Sequence, residues 1–237
     1  MSEAPLAGLD VAVLAGGLGT RIRPVLGMVP KVLAPIGDRP FLDILLDWLE
    51  NAGARRIVLC LGHLADKVES WLDTCPPRIA QVVVAVEPIP LGTAGALARH
   101  RPLLTSDPVL VINGDTLVDA DLEQFVTVHR THAPQASMLC AQVDDARSYG
   151  SVTTDPDGMV KAFTEKADTV PGPGLVNAGL YLLSSALLDH IARTAPTSLE
   201  RDVLPGLSRL LAVPQPVTFT DIGTPERLAA LRLSGAS

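Results

Sequence analysis

The run Gly16-Gly17-Leu18-Gly19-Thr20-Arg21, with Pro30-Lys31 ten residues beyond Arg21, suits one kind of chemistry. Glycines let backbone N–H groups approach oxyanions with no Cβ in the way. Arg21 adds a planar fork for two phosphate oxygens, and Lys31 adds a compact point charge. Together they describe a socket for a polyphosphate. Ile22 stands where Gly-x-Gly-x-x-Gly needs its third glycine, so the run is not a dinucleotide fingerprint. It also lacks the Gly-Lys-Ser/Thr ending of a P-loop.

Such a socket needs a strand to hold it. The apolar stretch from Asp10 to Ala15 reads as a buried parallel strand broken by the glycines at its carboxyl end, which is where open α/β sheets bind ligands. Phe41, Ile44, Leu45, Trp48 and Leu49 recur with helical spacing over 41–51, and Gly53 stops that helix. Strands at 56–61, 81–87 and 108–113 then alternate with helices at 64–72, 92–101 and 121–132. That alternation implies a mostly parallel sheet covered on both faces. Beyond Ala136 the pattern changes. Segments 136–143, 150–154, 159–164 and 175–183 read as strands, with Asp155-Pro156-Asp157-Gly158 as a hairpin turn. Helices are expected at 185–194 and 199–211, then a strand at 217–222 and a helix from Pro225.

Two carboxylates sit where such a sheet would present them. Asp115 follows the apolar run Val109–Asn113 and Gly114, and Asp221 follows Val217-Thr-Phe-Thr. Either alone reads as a turn or a cap, though Thr224 is better placed than Asp221 to cap the helix at Pro225. As a pair on one sheet edge facing a phosphate loop, they offer the hard oxygen ligands of a Mg2+ site that substrate phosphates complete. His129 and His132 share a helix face with no third ligand in view. Trp48 and Trp71 fall on apolar faces, and Ser184-Ser185 has no His–Asp pair nearby.

The 237 residues suit one domain, 1–237, with a core of Leu, Val, Ala and Ile, since 47% are hydrophobic and only 3% aromatic. A net charge of −7 argues against nucleic acid or an anionic membrane as the main partner. No apolar stretch has the length of a membrane span, and Met-Ser-Glu-Ala-Pro has no signal-peptide character. Cys60, Cys75 and Cys140 suggest neither a disulfide framework nor a zinc site, so the cytoplasm is the expected compartment.

The string Gly16-Gly-x-Gly-Thr-Arg21-x-x-Pro24-x5-Pro30-Lys31 resembles the signature of the sugar-1-phosphate nucleotidylyltransferases, and the resemblance extends to Asp221-Ile-Gly-Thr-Pro. It implies a Rossmann-like α/β fold of the nucleotidyltransferase (GT-A-like) type, with a mostly parallel mixed sheet, helices on both faces and no β-helix domain. It implies transfer of a nucleoside monophosphate to a sugar 1-phosphate with release of pyrophosphate. Arg21, Lys31 and Asp115 become the catalytic set, Mg2+ the cofactor on Asp115 and Asp221. Leu14, Ala15, Gly16, Gly17, Gly19, Thr20, Glu87, Gly92, Thr93 and Gly114 become the nucleotide site. Tyr149, Gly150, Asn177 and Gly179 match positions of sugar contacts. Glu165-Lys166 matches a Glu-Lys-Pro motif whose Pro is Ala167 here. By the same resemblance, uridylyl and thymidylyl members usually carry Gln where Glu87 stands. A carboxylate only accepts, which suits the adjacent N1–H and N2–H2 of guanine, so GTP is the expected nucleotide. Arg39-Pro-Phe-Leu and Ser198-Leu-Glu-Arg-Asp-Val-Leu-Pro look most like the branch acting on D-glycero-α-D-manno-heptose 1-phosphate. Mannose 1-phosphate, an amino sugar 1-phosphate with UTP, and a non-catalytic regulator are the alternatives. A homodimer is suggested by analogy alone.

Overall fold

The Asp-Val-Ala-Val-Leu-Ala run forms β1 (Asp10–Ala15), with Val11, Ala12 and Val13 fully buried. A strand covered by helices on both faces must be apolar at successive positions, as this one is. The computed structural model describes residues 3–77, 79, 81–146, 149, 151–164 and 172–233. After β1 come α1 (Arg23–Leu26), β2 (Pro35–Ile36), β3 (Arg39–Pro40), α2 (Phe41–Asn51), β4 (Arg56–Leu61), α3 (Ala65–Thr74) and β5 (Gln81–Val86). Then follow α4 (Gly92–His100), β6 (Val109–Asn113), β7 (Thr116–Val118), α5 (Leu122–His132), β8 (Ala136–Val143), β9 (Ser151–Thr154) and β10 (Val160–Thr164). The chain closes with β11 (Gly174–Leu183), α6 (Ser185–Thr194), β12 (Leu210–Gln215), β13 (Phe219–Asp221) and α7 (Pro225–Leu233).

Among the described residues the main sheet has nine strands. β5, β4, β1 and β6 lie side by side in that order, all parallel. The chain runs outward from β1 to β5 and returns to β6 on the other side of β1. Strand order therefore reverses between β1 and β6, the switch point at which α/β sheets leave a crevice. β11 pairs antiparallel with β6 and carries the sheet into its mixed half. Its register on β8 shifts between Asn177 and Tyr181, where Gly179 takes a φ of +76°. This bulge bends the strand and lets one edge serve both β9 and β6.

Alternate residues of the parallel strands point to opposite faces. Val11, Val13, Ile57, Leu59 and Ile112 join one core with Phe41 and Leu45 of α2, Val68 of α3, Phe125 of α5 and Leu228 of α7. Ala12, Val58, Cys60 and Val111 join the other with Leu97 of α4 and Leu188 of α6. Helices thus cover both faces, as expected. Burial pushes the thiols of Cys60 and Cys140 up to about 12.

Two expectations are corrected. The helix expected over 199–211 is only a turn at Leu199–Val203 and another at Leu204–Gly206, after which the chain forms β12. Pro205 and Gly206 stop the helical turns, and the apolar run Leu210–Val213 pairs parallel with β8 near the sheet's border, where Pro214 is tolerated. Asp221 is not on the edge of the main sheet. It ends β13, which pairs with β7 in a separate two-stranded ribbon that the turn at Gly114-Asp115 starts directly after β6.

At the end of β1 away from the glycines, Asp10 ties β1 to β4 and to the loop that leads into β6. It accepts hydrogen bonds from Arg56 Nη1 (2.9 Å), Thr105 Oγ1 (3.0 Å), Ser106 N (3.1 Å) and Thr105 N. Burial alone would raise its carboxyl, but these donors hold it below the ordinary value. Asp10→Ala should destabilise the protein by about 3 kcal/mol or more, because it removes the carboxylate from Arg56, which keeps only Leu103 O, and leaves the Thr105 and Ser106 N–H groups without their acceptor. Urea unfolding checks this: the midpoint should fall with an unchanged slope.

Candidate active site

The carboxyl ends of β1, β4 and β6 meet so closely that side chains are excluded there. A Cβ on Gly62, just past β4, would lie 2.6 Å from Gly16 O, and one on Gly114, just past β6, would lie 2.9 Å from both Ala15 Cβ and Leu14 O. Gly114 N donates to Leu14 O at 2.8 Å, fixing the exit of β6 against β1. Beside this junction opens a cavity of about 320 Å3. Its wall brings together Leu14, Ala15, Gly16, Gly17, Lys31, Glu87, Gly92, Thr93, Gly114 and Asp115 from the expected set, and adds Val32, Pro90, Ala96 and Asn113.

The rest of the glycine loop lies outside that wall. Gly19, at φ +58°, turns the chain into α1, and with Ile22, Arg23 and His63 it lines a smaller pocket. Thr20 and Arg21 are exposed and do not line the cavity. Arg23 Nη2 donates to His63 Nε2 at 3.1 Å and Lys67 Nζ to Met28 O at 2.6 Å, tethering the loop to the start of α3.

Asp115 and Asp221 come together through the ribbon. Ile222 N donates to Asp115 O at 3.0 Å, and Asp221 stands opposite Thr116. Each carboxylate faces a cation: Lys31 Nζ donates to Asp115 Oδ2, and Arg227 Nη1 to Asp221 Oδ2. A Cβ on Gly223 would lie 2.8 Å from Asp221 Oδ1 and 3.4 Å from Lys31 Nζ, so both pairs crowd one spot. This donor set fits a hard divalent cation. Two carboxylates converge beside the cavity, and among the described residues no third His, Cys, Asp or Glu joins them, which leaves coordination positions for phosphate oxygens and water.

Glu87, directly after β5, is only 7% exposed. Its Oε2 accepts from Leu91 N at 3.0 Å, and a Cβ on Gly16 would lie 3.0 Å from its Oε1. Burial holds its carboxyl above the ordinary value, against the weaker opposite pull of the Leu91 N–H. Gly92 and Thr93 line the cavity and are also packed against the turn after α6. Gly92 takes a φ of +78°, and a Cβ there would lie 2.4 Å from Thr197 O. Thr93 Oγ1 accepts from Leu199 N (2.8 Å) and donates to Glu200 Oε2 (2.8 Å).

Glu200 was not singled out from the sequence, yet it gathers this side of the site. Besides Thr93 it accepts from Ser198 Oγ (3.1 Å) and from the buried Tyr181 hydroxyl (3.4 Å). Tyr181 in turn accepts from Asn177 Nδ2 at 2.7 Å, and Asn177 Oδ1 accepts from Gly179 N at 2.9 Å. A hydrogen-bonded line therefore joins Thr93 to the β11 bulge. Ser198 caps the turn that carries Glu200, its hydroxyl accepting from Arg201 N at 3.2 Å, but the partners that give Glu200 its place are distant in sequence. Tyr149 packs edge-on to Phe219, with ring centroids 5.1 Å apart, beside Arg227. Gly150, Glu165 and Lys166 lie outside the described residues.

The sequence pattern of the nucleotidyl transferase family matches residues 11–229. The chain belongs to this family. HddC from Yersinia pseudotuberculosis is 33% identical and superposes with a TM-score of 0.86 over 95% of this chain and 99% of that one. A second structure of HddC is a complex with GMP-PN. The mannose-1-phosphate guanylyltransferase catalytic subunit beta of Drosophila pseudoobscura pseudoobscura is 32% identical over 225 residues, covering 92% of this chain and 60% of its own. A mannose-1-phosphate guanylyltransferase of Mycobacterium tuberculosis is 33% identical over 223 residues, covering 92% of this chain and 62% of its own. The chain thus spans about three fifths of the length of these curated relatives.

Because burial makes ionised Glu87 costlier in the fold than in the unfolded chain, its charge weakens the native state. Glu87→Gln should raise the melting temperature at neutral pH, and the gain should fade as the pH drops below about 4, where both side chains are uncharged. Thermal unfolding across that range decides; an equal offset at every pH would mean that charge is not the cause.

Proposed function

We propose that this chain transfers GMP from GTP to a sugar 1-phosphate, D-glycero-α-D-manno-heptose 1-phosphate in the first instance, releasing pyrophosphate. The observation that carries this reading is the cavity wall, which joins the glycine loop, the Glu87 carboxylate and the Lys31–Asp115 pair in one space. Glu87 has an oxygen left over after Leu91 N, and a buried acceptor there suits the paired N–H groups of guanine. The relatives named as guanylyltransferases and the GMP-PN complex of HddC support the same nucleotide.

The sugar 1-phosphate is already ionised, so its oxygen attacks the α-phosphorus in line without a general base. The protein's part is positioning and charge neutralisation. Lys31 meets the α-phosphate as charge builds up, and Arg21 takes the β- and γ-phosphates and then the departing pyrophosphate. Lys166 grips the sugar 1-phosphate, while Glu165, Tyr149, Gly150, Asn177 and Gly179 hold the sugar. Asp115 and Asp221 would hold Mg2+, which would offset the repulsion between the two anionic substrates. The three cysteines described are free thiols, consistent with a reducing cytoplasm as the working compartment. No helix among the described residues is long and apolar enough to cross a membrane.

A second sugar has support of its own, because the two curated relatives are named for mannose 1-phosphate. Pyrophosphate release with Mg2+, crossing five nucleoside triphosphates with heptose, mannose and amino sugar 1-phosphates, separates the readings. GTP with heptose 1-phosphate is the expected pair; GTP with mannose 1-phosphate would keep the mechanism and change the sugar. A preference for UTP or dTTP would sink the role given to Glu87. Folded protein that binds a nucleotide and turns over nothing would make the regulator the better reading. In the active pair, Asp115→Asn should lower kcat roughly 10²–10³-fold, the scale of one preorganised electrostatic contact.

A further inference from the structure

Arg227 stands where a helix does not want it. It lies in the first turn of α7, whose Thr224 cap accepts from Arg227 N at 3.4 Å, and the positive end of a helix disfavours a cation. Its guanidinium donates to Asp221 and lies 5.1 Å from the Tyr149 ring centroid. It is therefore fixed between a carboxylate and an aromatic face, with its side chain 26% exposed. A cation placed against its local preference and held partly open suggests use by a ligand.

We infer that Arg227 is a phosphate-binding residue that Asp221 holds in reserve, and that it takes the sugar 1-phosphate once Asp221 is committed to a divalent cation. This rests on the metal reading of Asp115 and Asp221 above. The charges make the exchange balanced. Lys31 with Asp115 and Arg227 with Asp221 form a neutral quartet around Gly223. When the two carboxylates face a divalent cation instead, their two negative charges are matched, and Lys31 and Arg227 are left to face phosphate. Lys31 lines the nucleotide cavity and Arg227 does not. Arg227 is instead on the Tyr149 side, where the sugar is placed. A guanidinium suits this task, since its fork meets two oxygens of one phosphate.

The test measures Mn2+ binding without substrate by electron paramagnetic resonance, and KM for both substrates. Arg227→Gln should bind Mn2+ more tightly than wild type, because Asp221 loses its competitor. The same variant should raise KM for the sugar 1-phosphate about tenfold or more, with KM for the nucleotide unchanged. Arg227→Lys, which keeps the charge, should fall between. Opposite signs for metal and sugar are not expected of a residue that only props the fold. A raised sugar KM with Mn2+ affinity unchanged or weaker overturns the exchange, as does no effect on either. Asp221→Asn separates the two layers. It should weaken Mn2+ binding, and wild-type affinity there would overturn the metal reading and the exchange with it.

Discussion

Everything at the site depends on the closeness of three strand ends. β1, β4 and β6 leave the sheet so near one another that Gly62 has room for nothing larger beside Gly16 O, and Gly114 nothing larger beside Leu14 O. Glycine at these points leaves backbone rather than side chains at the mouth of the crevice, which is what an anionic ligand needs. The junction also sets Asp115, since Gly114 bonded to Leu14 O starts the turn that becomes β7. β7 in turn recruits β13, and β13 delivers Asp221. One steric constraint on the main chain thus places both carboxylates.

The charges at that point are arranged for exchange rather than for stability. Partly exposed ion pairs add little to folding, and the side chains of Lys31, Asp115, Arg227 and Asp221 are each between 19% and 29% exposed. The contrast with Asp10 is instructive, because its side chain is only 6% exposed, with several donors besides Arg56, at the opposite end of the same strand. β1 therefore carries a firmly held charge cluster at its start and loosely held ones beyond its end. The firm cluster suits a scaffold; the loose ones suit groups that must change partners during a reaction.

Much of this was legible in the sequence, for local reasons. Val11–Val13 and the spacing of Phe41, Leu45 and Leu49 carry periodicities that the core imposes directly, so β1 and α2 could be read to their ends. β12 could not, because Leu210–Val213 lacks alternation and follows residues of good helical character. Only Pro205-Gly206 hinted at the break. β13 falls inside the strand expected over 217–222, but its partner β7 is three residues long, too short for any period to show. Without β7 the sequence offers β13 no partner other than the main sheet, which is why Asp221 is expected on its edge. The cavity residues from Leu14 to Gly17 follow from the strand-then-glycine pattern, whereas Glu200 depends on a long-range contact to Thr93 that no local pattern encodes.

Thr93 and Glu200 also explain how the loop after β5 is held. Gly92 is small because Thr197 O presses against it, and the Thr93 hydroxyl is bonded on both sides, to Leu199 N and to Glu200. These residues fix the loop to the turn that follows α6. Among the described side chains of this loop, Glu87 keeps further accepting capacity, since its hydrogen bond from Leu91 N uses only Oε2. The Glu200 line continues through Tyr181 to Asn177 on the bulge of β11, so the Thr93 wall of the cavity and the β11 bulge share one hydrogen-bonded support. Under the proposed function, a two-substrate reaction that relies on positioning needs such surfaces at a constant separation. A line of hydrogen bonds anchored on the fully buried Tyr181 side chain supplies it.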